Sequence, residues 1–223
     1  MLEDTLIGFI VKNANEMPNT VAIREMRYGV WSPMTWREFK DNVQRFALGL
    51  IELGYNEDDK LGVIGDNKPE WIIAEFGAMA AGGIPTGVYP DSLAEEVEYL
   101  VSYSDARFLV VRDQEQVDKV LSFWEAVKKK VEKVIVWDSR GMSHYYEEYP
   151  FLMRFEKVIE IGMEKEKEQD DFLLKRAEEI KPSQTAMMLT TSGTTALPKL
   201  SMLSHRNLIF ASHNYAKVSK VDK

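Results

Sequence analysis

Apolar residues recur along this chain with two different periods, and where one gives way to the other an element boundary is predicted. At helical spacing, Leu6, Phe9, Ile10 and Ala14 share one face of a predicted helix over residues 4–17. Val21-Ala22-Ile23-Arg24 and Gly29-Val30-Trp31-Ser32 read as two short strands around a turn. Thr35 then caps a helix, with Glu38 three residues on as a capping box. Phe39, Val43, Phe46, Leu50 and Ile51 form its apolar face, and Gly54 ends it.

From there strands and helices alternate. A buried strand is predicted at 61–64. A helix follows at 70–81, with Pro69 suited to its first turn. Next come a strand at 84–88, a helix through Tyr103 capped by Ser92, a strand at 106–111, a helix at 114–131 and a strand at 133–137. This order predicts the α/β class, a layered αβα structure around a mostly parallel sheet. Residues 138–183 depart from the pattern. The polar and aromatic stretch 141–149 reads as a surface loop, 151–161 as a helix or helix plus strand, and the charge run 164–171 as a solvated helix face. Pro182 marks the approach to a further strand, Ala186-Met187-Met188-Leu189, and a second short one follows at 200–203.

Composition narrows the function classes. The chain has 223 residues and a net charge of −8, which argues against a basic nucleic-acid-binding surface. It has no cysteine, so disulfides, thiolate metal sites and cysteine nucleophiles are excluded. The first residues, Met1-Leu2-Glu3-Asp4, are acidic where a signal peptide would be basic. The most apolar stretch, 72–88, is interrupted by Glu75, Gly82-Gly83 and Pro85, so no transmembrane segment is expected and a cytoplasmic location is.

The chemistry lies in Thr190-Thr191-Ser192-Gly193-Thr194-Thr195-Ala196-Leu197-Pro198-Lys199. Five hydroxyl side chains flank one glycine, and a lysine follows. Glycine lets backbone N–H groups approach an oxyanion, hydroxyls add donors, and lysine supplies a compact positive charge. Gly193 and Lys199 have the outer spacing of a Walker loop, but Pro198 replaces its second glycine and Leu200 its Mg²⁺-holding hydroxyl, so that reading fails. An ordinary Ser/Thr-rich turn is the plain alternative. Downstream, Ser204 caps a helix beginning near His205.

Thr191 to Thr195, Pro198, Lys199, Ser204, His205 and Asn207 agree in order and spacing with a ten-residue signature. The stretch resembles the phosphate-binding loop of the adenylate-forming superfamily. Upstream, Met34 to Phe39 resembles the early helix start of its acyl-CoA synthetases, Asn67 to Trp71 followed by Ala78 to Pro85 resembles their next helix and glycine turn, and Gly87 to Ser92 with Glu95 to Leu100 is similar to the long-chain fatty acyl branch. The resemblance implies that the whole chain, 1–223, is the N-terminal part of an AMP-binding (adenylation) domain, ending just after the phosphate loop, with the C-terminal domain absent. It implies activation of a fatty acid, long-chain on this likeness, by ATP and Mg²⁺ to an acyl-adenylate and then to acyl-CoA, with coenzyme A as co-substrate. Thr191, Ser192, Gly193, Thr194, Thr195 and Lys199 would meet the ATP phosphates, Thr191 would help hold Mg²⁺, and the fragment alone would not turn over. His205 would either neighbour the acyl or adenylate group or cap and pack in the first turn of its helix.

Several other residues read as structural. Trp36 and Trp71 are core anchors, Met187 and Met188 belong to the core, and Glu95, Glu96 and Glu98 form an exposed first turn. His144 and His213 lack spaced metal partners. Ala196 and Leu200 stand where the family usually has glycine. If position 196 needs a positive φ, a non-glycine residue costs roughly 1 kcal/mol or more. That departure keeps two alternatives open: a nucleotide-binding module that has lost catalysis, and an α/β interaction domain with a degenerate loop. Oligomeric state stays open, a homodimer included.

Overall fold

A computed structural model describes residues 2–191 and 197–219. Seven strands form one sheet in the order β7 (Leu152–Arg154), β6 (Lys133–Val136), β5 (Ala106–Val111), β3 (Lys60–Ile64), β4 (Ile84–Val88), β8 (Thr185–Thr191) and β9 (Lys199–Ser204). All neighbours are parallel except β8 and β9, which form an antiparallel pair. The remaining strands, β1 (Val21–Arg27) and β2 (Val30–Thr35), make a separate hairpin.

Side-chain alternation splits the core between the two sheet faces. Phe108, Val110 and Ile135 enter one cluster with α1 (Leu6–Glu16), α2 (Trp36–Glu52), α3 (Pro69–Ala80), α8 (Phe155–Glu166) and α9 (Phe172–Glu179). Leu109, Val111, Val134 and Val136 enter the other with α4 (Ala94–Ser104), α5 (Gln114–Ser122) and α6 (Trp124–Val127). The result is the αβα sandwich that the hydrophobic pattern predicts. No described helix is long and apolar enough to cross a membrane.

Several boundaries follow the local chemistry. Thr35 Oγ1 accepts from Glu38 N at 3.3 Å while the Glu38 carboxylate accepts from Thr35 N at 2.7 Å, which completes the capping box. Others differ from expectation. The first helix starts after Thr5, whose hydroxyl caps it, and buries Ile7, Ile10, Val11 and Ala14, leaving Leu6 and Phe9 half-buried. Leu93, not Ser92, stands at the cap of α4; there the Glu96 carboxylate reaches back to Leu93 N at 3.2 Å. The expected helix at 114–131 breaks at Phe123, which leaves helical geometry to bury its ring, while Ser122 Oγ bonds back to Lys119 O at 2.6 Å. The expected loop at 141–149 contains a short helix, α7 (Ser143–Glu148). Its Tyr145 hydroxyl donates to Asp118 and accepts from Gln114. The charge run is only partly solvated, since Glu166 is bonded to Arg45 and Gln44.

Candidate functional site

The parallel strands all end at one edge of the sheet, the edge where open α/β sheets hold their ligands. β8 runs beside β4, with Thr86 opposite Met188, and delivers Thr191 to this edge. β9 leaves it from Lys199. Thr191 and Lys199 lie directly opposite each other, as do Thr190 and Leu200 one step inward. Alternation therefore puts Thr191 and Lys199 on one face of the hairpin and Leu200 on the other. Leu200 packs against the α4–α5–α6 cluster.

The ends of the loop are tied by two hydrogen bonds. Thr191 Oγ1 donates to Lys199 O at 3.2 Å, and Tyr99 of α4 donates its hydroxyl to Pro198 O at 3.2 Å. The Lys199 side chain itself is exposed and makes no ion pair among the described residues. Ser192, Gly193, Thr194 and Thr195, with Ala196, lie outside the described residues.

The same strand pair separates His205 from this end. Ser204 pairs with Thr185, at the start of β8, and its hydroxyl accepts from Asn207 N at 3.2 Å as the cap of α10 (His205–Ser219). At about 3.3 Å per residue, His205 stands roughly 20 Å along the strand from Lys199. It is 2 % exposed, and its Nδ1 accepts from Leu6 N at 3.3 Å. Burial without a charged partner holds it down to about 4, so it is neutral at pH 7 and fit for that acceptor role. The structure thus brings Thr191 and Lys199 together and leaves His205 apart from them.

Two features had no signal in the sequence. Tyr99 meets the loop from 99 residues away. Glu75, on α3, is pushed up to about 7 by burial, with the Trp71 indole opposing the shift; Trp71 in turn covers the open space above Gly87 of β4.

A second cleft, of about 520 Å³, opens at the ends of β3, β5 and β6. Its cations are already paired: Lys68 with Glu25 at 2.7 Å, Arg27 with Glu70 at 2.8 Å, Arg112 with Asp66 at 2.6 Å and Arg140 with Asp138 at 2.5 Å. An anion there would have to displace those carboxylates, whereas the Lys199 ammonium needs no such exchange.

The family model described as AMP-binding enzyme matches residues 10–223. The chain belongs to this family. The long-chain-fatty-acid–CoA ligase heimdall of Drosophila melanogaster is 32% identical over 186 residues, which cover 83% of this chain and 27% of that protein. This chain of the AMP-binding family therefore spans about a quarter of the length of that curated relative. In fold it is similar to a long-chain-fatty-acid-CoA ligase from Archaeoglobus fulgidus, at a TM-score of 0.78 and 20% identity, covering 98% of this chain and 40% of that one. It is also similar to a fatty acyl-adenylate ligase from L. pneumophila, solved with acyl adenylate and pyrophosphate. There the TM-score is 0.69 and the identity 18%, over 98% of this chain and 33% of that one.

Proposed function

We propose that this chain supplies the phosphate-binding part of an AMP-forming ligase that activates a long-chain fatty acid with ATP and passes it to coenzyme A. The observation that carries the reading is the β8–β9 hairpin. In sequence the residues joining its strands carry the hydroxyls and the glycine, Thr191 faces Lys199 where the two strands pair, and both stand at the edge where the parallel strands end. Membership of the AMP-binding family supports the adenylation chemistry. The names of the relatives support the fatty substrate.

In this reading a fatty carboxylate oxygen attacks the α-phosphorus of ATP. The bond to the bridging oxygen breaks and pyrophosphate leaves, its charge growing as it does. Ser192, Gly193, Thr194 and Thr195 donate to the phosphate oxygens, Thr191 meets the phosphates through the cation it helps hold, and the Lys199 ammonium offsets the charge developing on the β- and γ-phosphates. The thiol of coenzyme A then attacks the acyl carbonyl and AMP departs. Mg²⁺ fits Thr191, whose hydroxyl gives its proton to Lys199 O and keeps lone pairs for a hard cation. Among the described residues no group of three or more His, Cys, Asp or Glu could hold a metal, which suits an ion carried in by the phosphates. Bound there, Mg²⁺ supplies charge neutralisation to the phosphates. His205 is assigned a packing role.

Calorimetric titration with Mg²⁺-ATP tests the reading, with Lys199→Ala alongside. A ligand present at 100 times its Kd stabilises the folded state by about 2.7 kcal/mol, so the melting temperature should rise with binding. Because Lys199 is exposed, alanine there should keep the unliganded melting temperature and weaken Mg²⁺-ATP at least about tenfold, as loss of a charge-assisted contact does. Equal affinity in the two proteins would refute the phosphate role.

A further inference from the structure

Taking the phosphate-loop reading as its basis, we infer that Tyr99 is a positioning residue for ATP: its hydroxyl fixes the Pro198 carbonyl, and so sets where the Lys199 ammonium can reach. Three observations carry this. Proline has no N–H, so the carbonyl is the one backbone polar group through which position 198 can be held, and Tyr99 holds it at 3.2 Å. The Tyr99 ring is itself fixed, stacked on Tyr103 with centroids 5.4 Å apart and planes 13° from parallel. Finally, Leu200 is packed into the cluster that contains Val97, Leu100 and Val101 of α4. Residue 198 is therefore tied to α4 and residue 200 to the apolar cluster that α4 shares with α5, α6 and the sheet, and Lys199 between them lies on the opposite face of the strand. A slip of one residue in β9 would turn the lysine toward α4, and this double anchor opposes it.

The anchor also gives a role to the bulk at position 200. Glycine there would remove the packing of residue 200 on this cluster and leave the Tyr99 hydrogen bond without that support. With leucine, packing and hydrogen bonding act together on adjacent peptides.

The test uses the 223-residue chain carrying Tyr99→Phe, Lys199→Ala, or both, titrated with Mg²⁺-ATP and with AMP. Phenylalanine keeps the ring stack and removes only the donor. If Tyr99 acts through Lys199, Tyr99→Phe weakens Mg²⁺-ATP about five- to tenfold, the usual worth of one hydrogen bond, and leaves AMP affinity unchanged. The double variant then binds no more weakly than Lys199→Ala alone, because the two share one path. Equal loss for ATP and AMP, additive losses, or no loss in Tyr99→Phe would each overturn the inference. If Lys199→Ala has no effect, the phosphate reading fails instead. Hydrogen exchange without ligand then decides the positioning role by itself. Tyr99→Phe should speed exchange of the amides at 199–201 at an unchanged melting temperature, and unchanged exchange there sinks it.

Discussion

Glu75 and His205 tilt stability with pH in opposite directions. Glu75 rises from 4.5 to about 7 in the folded chain because burial disfavours its charge. Between those values the folded state holds the extra proton, so stability falls as pH rises through the window. His205 drops from 6.5 to about 4, again through burial. There the unfolded state holds the extra proton, and stability falls as pH falls from 6.5 toward 4. Over the shared range the two slopes offset each other. Glu75→Gln should separate them, since the amide oxygen still accepts from the Trp71 indole but never charges. The variant should exceed the parent by roughly 2–3 kcal/mol above pH 7, with the gain vanishing below pH 4.5. It should also lose stability more steeply than the parent on acidification from pH 6.5, His205 now being unopposed. Melting curves at pH 4.5, 6 and 8 check this; a difference constant across the three would show that Glu75 is charged in both states.

At the scale of elements, α2 and α8 approach each other through paired glycines. A methyl group on Gly162 would stand 1.7 Å from the Arg45 carbonyl oxygen, and one on Gly49 would stand 2.2 Å from that of Val158. The helices meet backbone to backbone there, so neither neighbour can swing aside. Beside them the buried Gln44 amide is fully used, accepting from Leu173 N at 3.0 Å and donating to Glu166 at 2.8 Å. Gly162→Ala should therefore lose roughly 3 kcal/mol, the upper end for overpacking, despite the better helix propensity of alanine. A lower urea midpoint at unchanged slope is the expected result, and a stabilised variant would show that the helices can separate at little cost. Nothing in the sequence announces this contact, because it joins residues more than a hundred positions apart. What was legible is local: the Thr35–Glu38 box, the strands at 84–88 and 106–111, and the alternation of strands and helices that builds the layered sheet. The break at Phe123 and the helix at 143–148 were not, because burial of Phe123 and the Tyr145 bonds to α5 decide them. The candidate site divides in the same way. The loop's donors and lysine are written in consecutive residues, while the α4 anchor beneath them exists only once the chain has folded.

At the scale of the whole molecule, order should fall away from the centre of the sheet toward the edge that carries the site. Phe108, Leu109, Val110 and Val111 of β5 have no exposed surface, with helices on both faces. At the other extreme, of the described residues in α10 His205 alone is fully buried, and Phe210, Tyr215 and Val218 are each at least 70 % exposed; on β9, Met202 is 68 % exposed. So little buried apolar area ties α10 to the rest that it should open without unfolding the sheet. Native-state hydrogen exchange should therefore place the opening free energy of α10 at least about 2 kcal/mol below that of β5. Phe210→Ser with Tyr215→Ser should leave the global melting temperature within about a degree, since exposed side chains contribute little. Mg²⁺-ATP should then slow exchange in β8 and β9, whose tip would hold the phosphates, more than along α10. If α10 instead exchanges only with β5, it belongs to the global folding unit, and the edge that carries Lys199 is as rigid as the centre.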